Sequence, residues 1–284
     1  MDAAPQQSQK YVDCQGCRVR YYQVGSGPDI LFIHGAPGSI EDWLPVTDGL
    51  AAKYRLTFYD RPGYGYSDAL KGGYNQIRQA DAAFALIEKL NLVNPVVVGH
   101  SFGGSIALAM AVRRPKQIKA FISVGARAYP KAKSPLIFHL LKAPALGRLI
   151  QAIQRSSQGR KMLRHAILKM FHPNESSIPP DFIETRITQW LSNGNMISLA
   201  HEDTNSSSVL REISQHYHEI EQHFVVVHGS EDHSIPVEDA MNLYSDLKHS
   251  QLIILPNTGH MVQFIRTDEL VKIINDTIGS TTIH

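Results

Sequence analysis

The sequence predicts an α/β protein with a mainly parallel central sheet, flanking helices and an inserted helical lid. Three observations carry this expectation. Short apolar runs alternate with amphipathic stretches along most of the 284 residues, the rhythm of a parallel sheet wrapped by helices. A Gly-rich turn, Gly99-His100-Ser101-Phe102-Gly103, joins one apolar run to a small-residue stretch. Almost a hundred residues between Ala126 and His223 carry helical patterns but no strand pattern, too many for a bare loop.

The elements follow in order. "KYVDCQ" and "CRVRYYQVG" read as an antiparallel hairpin with Gln15-Gly16 in its turn. "DILFIHG" is a short apolar run closed by Gly and Pro, expected of a strand buried on both faces. Further strands are expected at 54–60, in "NPVVVGHS", at 118–126, at 223–230 and at 250–257. Helices are expected at 76–90, where Ile77, Ala80, Phe84, Ile87 and Leu90 form one apolar face, and at 103–113, 237–247 and 261–278. In the long gap, 136–151, 158–171, 181–192 and 195–202 have helical spacing. These readings divide the chain into a core over residues 1–127, a lid over 128–215 and a second core segment over 216–284, the lid covering the sheet edge where open α/β folds place their sites.

Composition narrows the function classes. No apolar run is long enough to span a membrane, and "MDAAPQQSQK" lacks the apolar stretch of a signal peptide, so a cytoplasmic location is expected. The two cysteines, Cys14 and Cys17, cannot complete a four-ligand zinc site and lack the βαβ context of a redox pair. They are expected near an exposed edge with a structural or incidental role. His216-Tyr217-His218 has no converging carboxylate or thiol, so neither a metal nor any other cofactor is expected.

The chemistry points to one serine. Ser101 sits in G-x-S-x-G between a strand and a helix. Such a turn strains the backbone and lifts the hydroxyl above the sheet edge, with glycines where side chains would clash. A hydroxyl needs a base to become nucleophilic, and the base needs an orienting acid. Asp232 and His260 follow the fifth and sixth central strands, in the order serine, acid, histidine that this architecture uses. Glu231 is the competing acid, and neighbouring loop residues usually point apart. His233 is too close to Asp232 in sequence to serve as its base. Oxyanion donors are expected from the backbone N–H of Phe102 and of Ala36, because Pro37 has no N–H.

Other residues receive lesser roles. His34 is read as bracing the loop 34–39 beside the substrate pocket, with Phe102, Tyr129 and Trp190 as candidate lining. Ser67, in "GYGYSD", lacks the elbow context and is read as shaping its loop with Asp68. Asp60 and Arg61 are expected to form a structural ion pair.

Taken together, HGAPGS (34–39), DRPGYGYSD (60–68), GHSFGG (99–104), GSED (229–232) and NTGH (257–260) resemble the α/β-hydrolase superfamily over essentially the whole chain. The first two loops look like those of the branch containing epoxide hydrolases and haloalkane dehalogenases. Those enzymes use an aspartate where this chain has Ser101, and a serine does not suit their alkyl-ester step. The first loop also resembles the HGGPG of proline iminopeptidases, with Ala36 replacing a glycine. The resemblance implies an α/β-hydrolase fold and a serine hydrolase, with an ester of a small or lipid-like acid as the expected substrate. Carbon–carbon bond hydrolases, thioesterases and aminopeptidases of the same fold remain alternatives, as does a small-molecule binding protein that retains the triad.

The net charge of +2 conceals an asymmetry. Residues 89–174 hold 15 Lys/Arg and no acid, while 175–284 hold 5 Lys/Arg and 16 Asp/Glu. No recognition motif accompanies the basic block, so nucleic acid is not an expected partner. The block is either a solvated face balanced by the acidic third or, where apolar and basic residues interleave in "SPLIFHLLKAPALGRLIQAIQRSSQGRKMLRHAILKMF", a peripheral contact with an anionic membrane.

Overall fold

A computed structural model describes residues 10–70, 73–131, 133–192 and 194–280. Eight strands form one sheet: β1 (Lys10–Cys14), β2 (Cys17–Val24), β3 (Asp29–Ile33), β4 (Arg55–Tyr59), β5 (Val96–His100), β6 (Ala120–Val124), β7 (His223–Gly229) and β8 (Ser250–Leu255). Their order is β1-β2-β4-β3-β5-β6-β7-β8, antiparallel at β1/β2 and β2/β4 and parallel elsewhere. The helices are α1 (Thr47–Leu50), α2 (Gln76–Lys89), α3 (Phe102–Arg113), α4 (Leu136–Leu141), α5 (Pro144–Arg155), α6 (Ser157–Phe171), α7 (Phe182–Trp190), α8 (Asn195–Ile213), α9 (Val237–Asp246), α10 (Val262–Ile265) and α11 (Thr267–Ser280).

The two-residue period of the strands divides the core into two layers. Leu31, Ile33, Val97, Phe121, Phe224 and Val226 point to the face covered by α2, α3 and α9. Ile30, Phe32, Val96, Val98, Ile122 and Val225 point to the face covered by α11. Central strands β3, β5 and β6 are buried along their whole length, as continuous apolar runs require in a sheet covered on both faces.

Residues between β6 and β7 contribute α4 to α8 and a third apolar cluster of Leu163, Ile167, Phe171, Ile187, Trp190, Met196 and Met261. Met261 comes from the loop after β8, so this cluster joins the helical segment to the sheet edge. Three helical readings change. The 136–151 stretch is broken after Leu141, and Pro144 begins a new helix at a position where its missing N–H costs nothing. The 195–202 stretch runs on to Ile213. The 261–278 stretch splits around Arg266.

Cys14 and Cys17 are buried, not edge-exposed. They face each other across the hairpin, whose Gln15 and Gly16 both have positive φ. The hairpin packs on α2, and the Cys17 thiol donates to the Asp68 carbonyl at 3.2 Å. Burial pushes the Cys14 thiol up to about 12 and the Cys17 thiol up to about 11. Among the described residues, no helix is long and apolar enough to cross a membrane.

Candidate active site

Ser101 occupies a sharp corner between β5 and α3, with φ 53° and ψ −119°. A β-carbon at Gly99 would lie 2.3 Å from the Gly103 carbonyl oxygen, and one at Gly103 would lie 2.2 Å from that of Ile33. Only glycine lets the corner close this tightly against β3. The Ser101 N–H donates to the Val124 carbonyl at 2.8 Å, which ties the corner to the end of β6. An unusual conformation for serine is thereby held from both sides.

The loops after β7 and β8 bring an acid and a base together. His260 Nδ1 and Asp232 Oδ2 lie 2.6 Å apart, and both side chains are almost fully buried. The other Asp232 oxygen accepts the N–H groups of Ser234 at 2.7 Å and Ile235 at 2.9 Å. Burial alone would raise this carboxyl. The charge and hydrogen bond of His260, helped by the Ile235 N–H, outweigh burial and hold it at about 2. Asp232 therefore stays ionised at neutral pH and fixes the Nδ1–H tautomer of His260, leaving Nε2 as the free acceptor. Glu231 points outward and is exposed, and the His233 ring stacks on His172.

The backbone of His260 is gripped at two points. Its N–H donates to the Met170 carbonyl of α6, and its carbonyl accepts from His100 Nε2, both at 3.0 Å. Burial and the neighbouring His260 lower the His100 ring to about 3, so it stays neutral. Asn174, just beyond α6, adds a clamp: its side chain bonds the Asn257 carbonyl and the Gly259 N–H, each at 3.0 Å. Sequence reasoning missed Asn174, whose role depends on a loop more than eighty residues away.

The loop after β3 leans against the serine. A β-carbon on Gly35 would lie 3.1 Å from the Ser101 β-carbon. The Ala36 N–H finds no acceptor among the described residues. Phe102 opens α3, where a helix offers its first N–H no internal acceptor.

Two cavities meet here, sharing Ala36, Ser101, Met170 and His260 as walls. A narrow one of about 30 Å³ is lined by Phe171, Phe182, Trp190 and the buried pair Asp42 and Arg186. A larger one of about 220 Å³ is lined by Phe102, Arg127, Lys131, Asp203 and Ser234. Trp190 also donates its indole N–H to the Pro37 carbonyl at 3.0 Å.

Two expected lining residues lie elsewhere. His34 is fully buried beneath its loop, where its Nε2 accepts the Arg61 N–H at 2.9 Å. Burial and Arg61 lower its ring well below the usual histidine value, which suits a neutral acceptor. Tyr129 packs on Tyr217 and donates to Asp246 at 2.6 Å. Its side chain is committed to α9, away from both cavities.

The expected Asp60–Arg61 pair is also corrected. Asp60 bonds Arg20 at 3.0 Å, and Arg61 reaches across to Glu202 of α8 at 2.6 Å. Adjacent residues on an extended turn point to opposite sides, so each finds a distant partner. Ser67 braces this turn, donating to the Asp60 carbonyl at 2.7 Å and accepting the Arg20 N–H at 2.9 Å.

A family model described as the alpha/beta hydrolase fold matches residues 28–267. A 2-hydroxymuconate semialdehyde hydrolase of Pseudomonas putida is 25% identical over 287 residues, covering 96% of each chain. Among solved structures, an esterase from Thermogutta terrifontis superposes with a TM-score of 0.76 at 19% identity, covering 96% of this chain and 98% of that one. A meta-cleavage product hydrolase from Pseudomonas fluorescens superposes with a TM-score of 0.78 at 19% identity, covering 95% of this chain and 97% of that one.

Proposed function

The chain belongs to the α/β-hydrolase fold family, and on that premise we propose that it is a serine hydrolase that cleaves a carboxylic ester through an acyl-enzyme on Ser101. The observation that carries the proposal is the buried 2.6 Å contact between Asp232 and His260 beside the strained Ser101 corner. A free Nε2, a lifted hydroxyl and two unspent N–H groups border one cavity wall.

His260 Nε2 takes the Ser101 proton as Oγ attacks the substrate carbonyl. The Ala36 and Phe102 N–H groups receive the developing oxyanion, where fixed donors act most strongly. The imidazolium then protonates the leaving alcohol, and the ester bond breaks. Water enters, gives its proton to His260 and attacks the acyl carbonyl, which frees the acid and restores Ser101. Ionised Asp232 stabilises the imidazolium in both halves.

The two cavities suit the two sides of a scissile bond. Arg127 and Lys131 against the single acid Asp203 give the larger cavity a positive balance, which favours a substrate with a negatively charged end. Trp190, Phe171 and Phe182 give the narrow cavity an apolar, aromatic character.

A second reading is hydrolysis of a carbon–carbon bond beside a carbonyl. The full-length similarity to a 2-hydroxymuconate semialdehyde hydrolase favours it. A panel of p-nitrophenyl esters and vinylogous ring-cleavage diketones separates the two, with Ser101→Ala as control. The primary proposal requires ester turnover that falls by several orders of magnitude in Ser101→Ala. Diketone turnover without ester turnover would replace it with the second reading. Ester turnover retained in the variant would sink both.

A further inference from the structure

Among the described residues, half of the large apolar side chains that stand exposed fall within one segment of the lid: Leu136, Ile137, Leu146, Leu149, Ile153 and Met162. Helix α5 turns most of its large apolar side chains to solvent. Its apolar stripe, Leu146, Leu149 and Ile153, is 46–58% exposed. The less exposed residues of α5 are Gly147, Ile150, Gln151 and Gln154, so only Ile150 of its large apolar side chains turns inward. An apolar stripe normally marks the buried side, so this one is kept outward at a cost in exposed hydrocarbon.

The surroundings of the stripe carry one sign of charge. Arg148 and Arg155 lie to one side of it on α5, and exposed Lys161, Arg164 and Lys169 lie on α6, which packs against α5. Residues 89–174 include no acid at all. Among the described residues, Glu184 of α7 is the acid that reaches these helices, bonding Arg160 at 2.8 Å and lying 3.6 Å from Arg164.

We propose that the outer face of α4, α5 and α6 docks on an anionic lipid surface, with Leu146, Leu149 and Ile153 entering the acyl boundary and the flanking cations meeting headgroup phosphates and carboxylates. An interfacial helix needs this pairing of apolar stripe and basic flank. A second copy of the chain fits poorly. A twofold contact would lay the patch on itself and set these cations against one another, with Glu184, already bonded to Arg160, as the one acid beside them among the described residues.

The rest of the lid is anchored away from this face. Helix α6 holds His260 through Met170, α7 holds the loop after β3 through Trp190, and α8 holds Arg61 through Glu202. Docking would therefore bring the cavities to a membrane surface without dismantling the site.

Sedimentation of the full chain with vesicles tests this. Phosphatidylcholine vesicles are compared with vesicles that also contain phosphatidylserine, at low and raised salt. The chain should sediment with the anionic vesicles and dissociate as salt rises. Leu149→Ser and Ile153→Ser should each weaken partitioning by roughly tenfold, and Arg148→Glu should weaken it further, while circular dichroism stays unchanged. Binding to neither vesicle, or equally to both, overturns the proposal. So does a dimer in sedimentation equilibrium that Ile153→Ser dissolves while vesicle binding is absent, which would assign the face to a second copy.

Discussion

Arg61 and Glu202 form a two-armed ion pair in which neither side chain is exposed, with Nη1–Oε1 at 2.6 Å and Nη2–Oε2 at 3.1 Å. The same guanidinium donates to the His34 and Gly35 carbonyls at 2.9 and 2.8 Å. Glu202 also accepts from Tyr64 at 2.6 Å and Gln79 at 2.9 Å. A lid helix is thus joined to the loop that carries the Ala36 N–H. Burial, then the Glu202 carboxylate, raises the Tyr64 hydroxyl well above its ordinary value, which keeps it a donor.

Removing one partner leaves the other charge buried and alone. Glu202→Gln or Arg61→Met should each lower stability by about 3–5 kcal/mol in urea unfolding. The double replacement Arg61→Met/Glu202→Met should cost less than the sum of the two single changes. A loss below about 1 kcal/mol for the single variants would mean that the pair is solvated in solution.

This network also marks how far the sequence could be read. Every central strand was legible because short apolar runs ended in turn residues, and Asp232 and His260 stood out because each follows such a run. Glu202 was not legible. It closes the expected 195–202 helix, and the polar "DTNSSS" that follows favours turns over helix, so no local signal showed that the helix continues or that Glu202 pairs with Arg61. Tertiary partners reverse that preference: Arg61 holds Glu202, Asn205 bonds the Tyr74 carbonyl, and Gln76 bonds Ser206. The inward burial of the cysteine pair was hidden for a similar reason, since hairpin spacing does not say where α2 will pack. In α5 the apolar period was visible, but period alone does not say which side faces water.

Stability should fall as the solution is acidified. His100 is lowered to about 3, and His34 well below the usual value, each first through burial. The unfolded chain takes up protons at these positions near pH 6.5, while the folded protein does not. Stability is therefore greatest above pH 6.5 and declines as the pH drops towards 3, by about 1.4 kcal/mol per pH unit for each such proton. His100→Gln should flatten this decline when urea midpoints are compared at pH 7 and pH 5. An unchanged slope would mean that His100 is already protonated or solvated in the folded state.

The thiols of Cys14 and Cys17 should resist alkylation in the native protein. Both are buried, and burial raises both well above the ordinary thiol range. Iodoacetamide at pH 8 should modify them at least a hundredfold faster in denaturant than in buffer, because only the thiolate reacts. Rapid labelling of the folded chain would place the hairpin away from α2.

Mass-spectrometric mapping of the site modified by a fluorophosphonate tests directly whether Ser101 is an activated nucleophile. Activation of Ser101 by His260 should give one phosphonylated peptide, the one holding Ser101, and no labelling of Ser67. Asp232→Asn should slow the labelling by orders of magnitude by disturbing the His260 tautomer. An unlabelled Ser101 in folded protein, or labelling whose rate ignores Asp232, would contradict an activated serine at this corner.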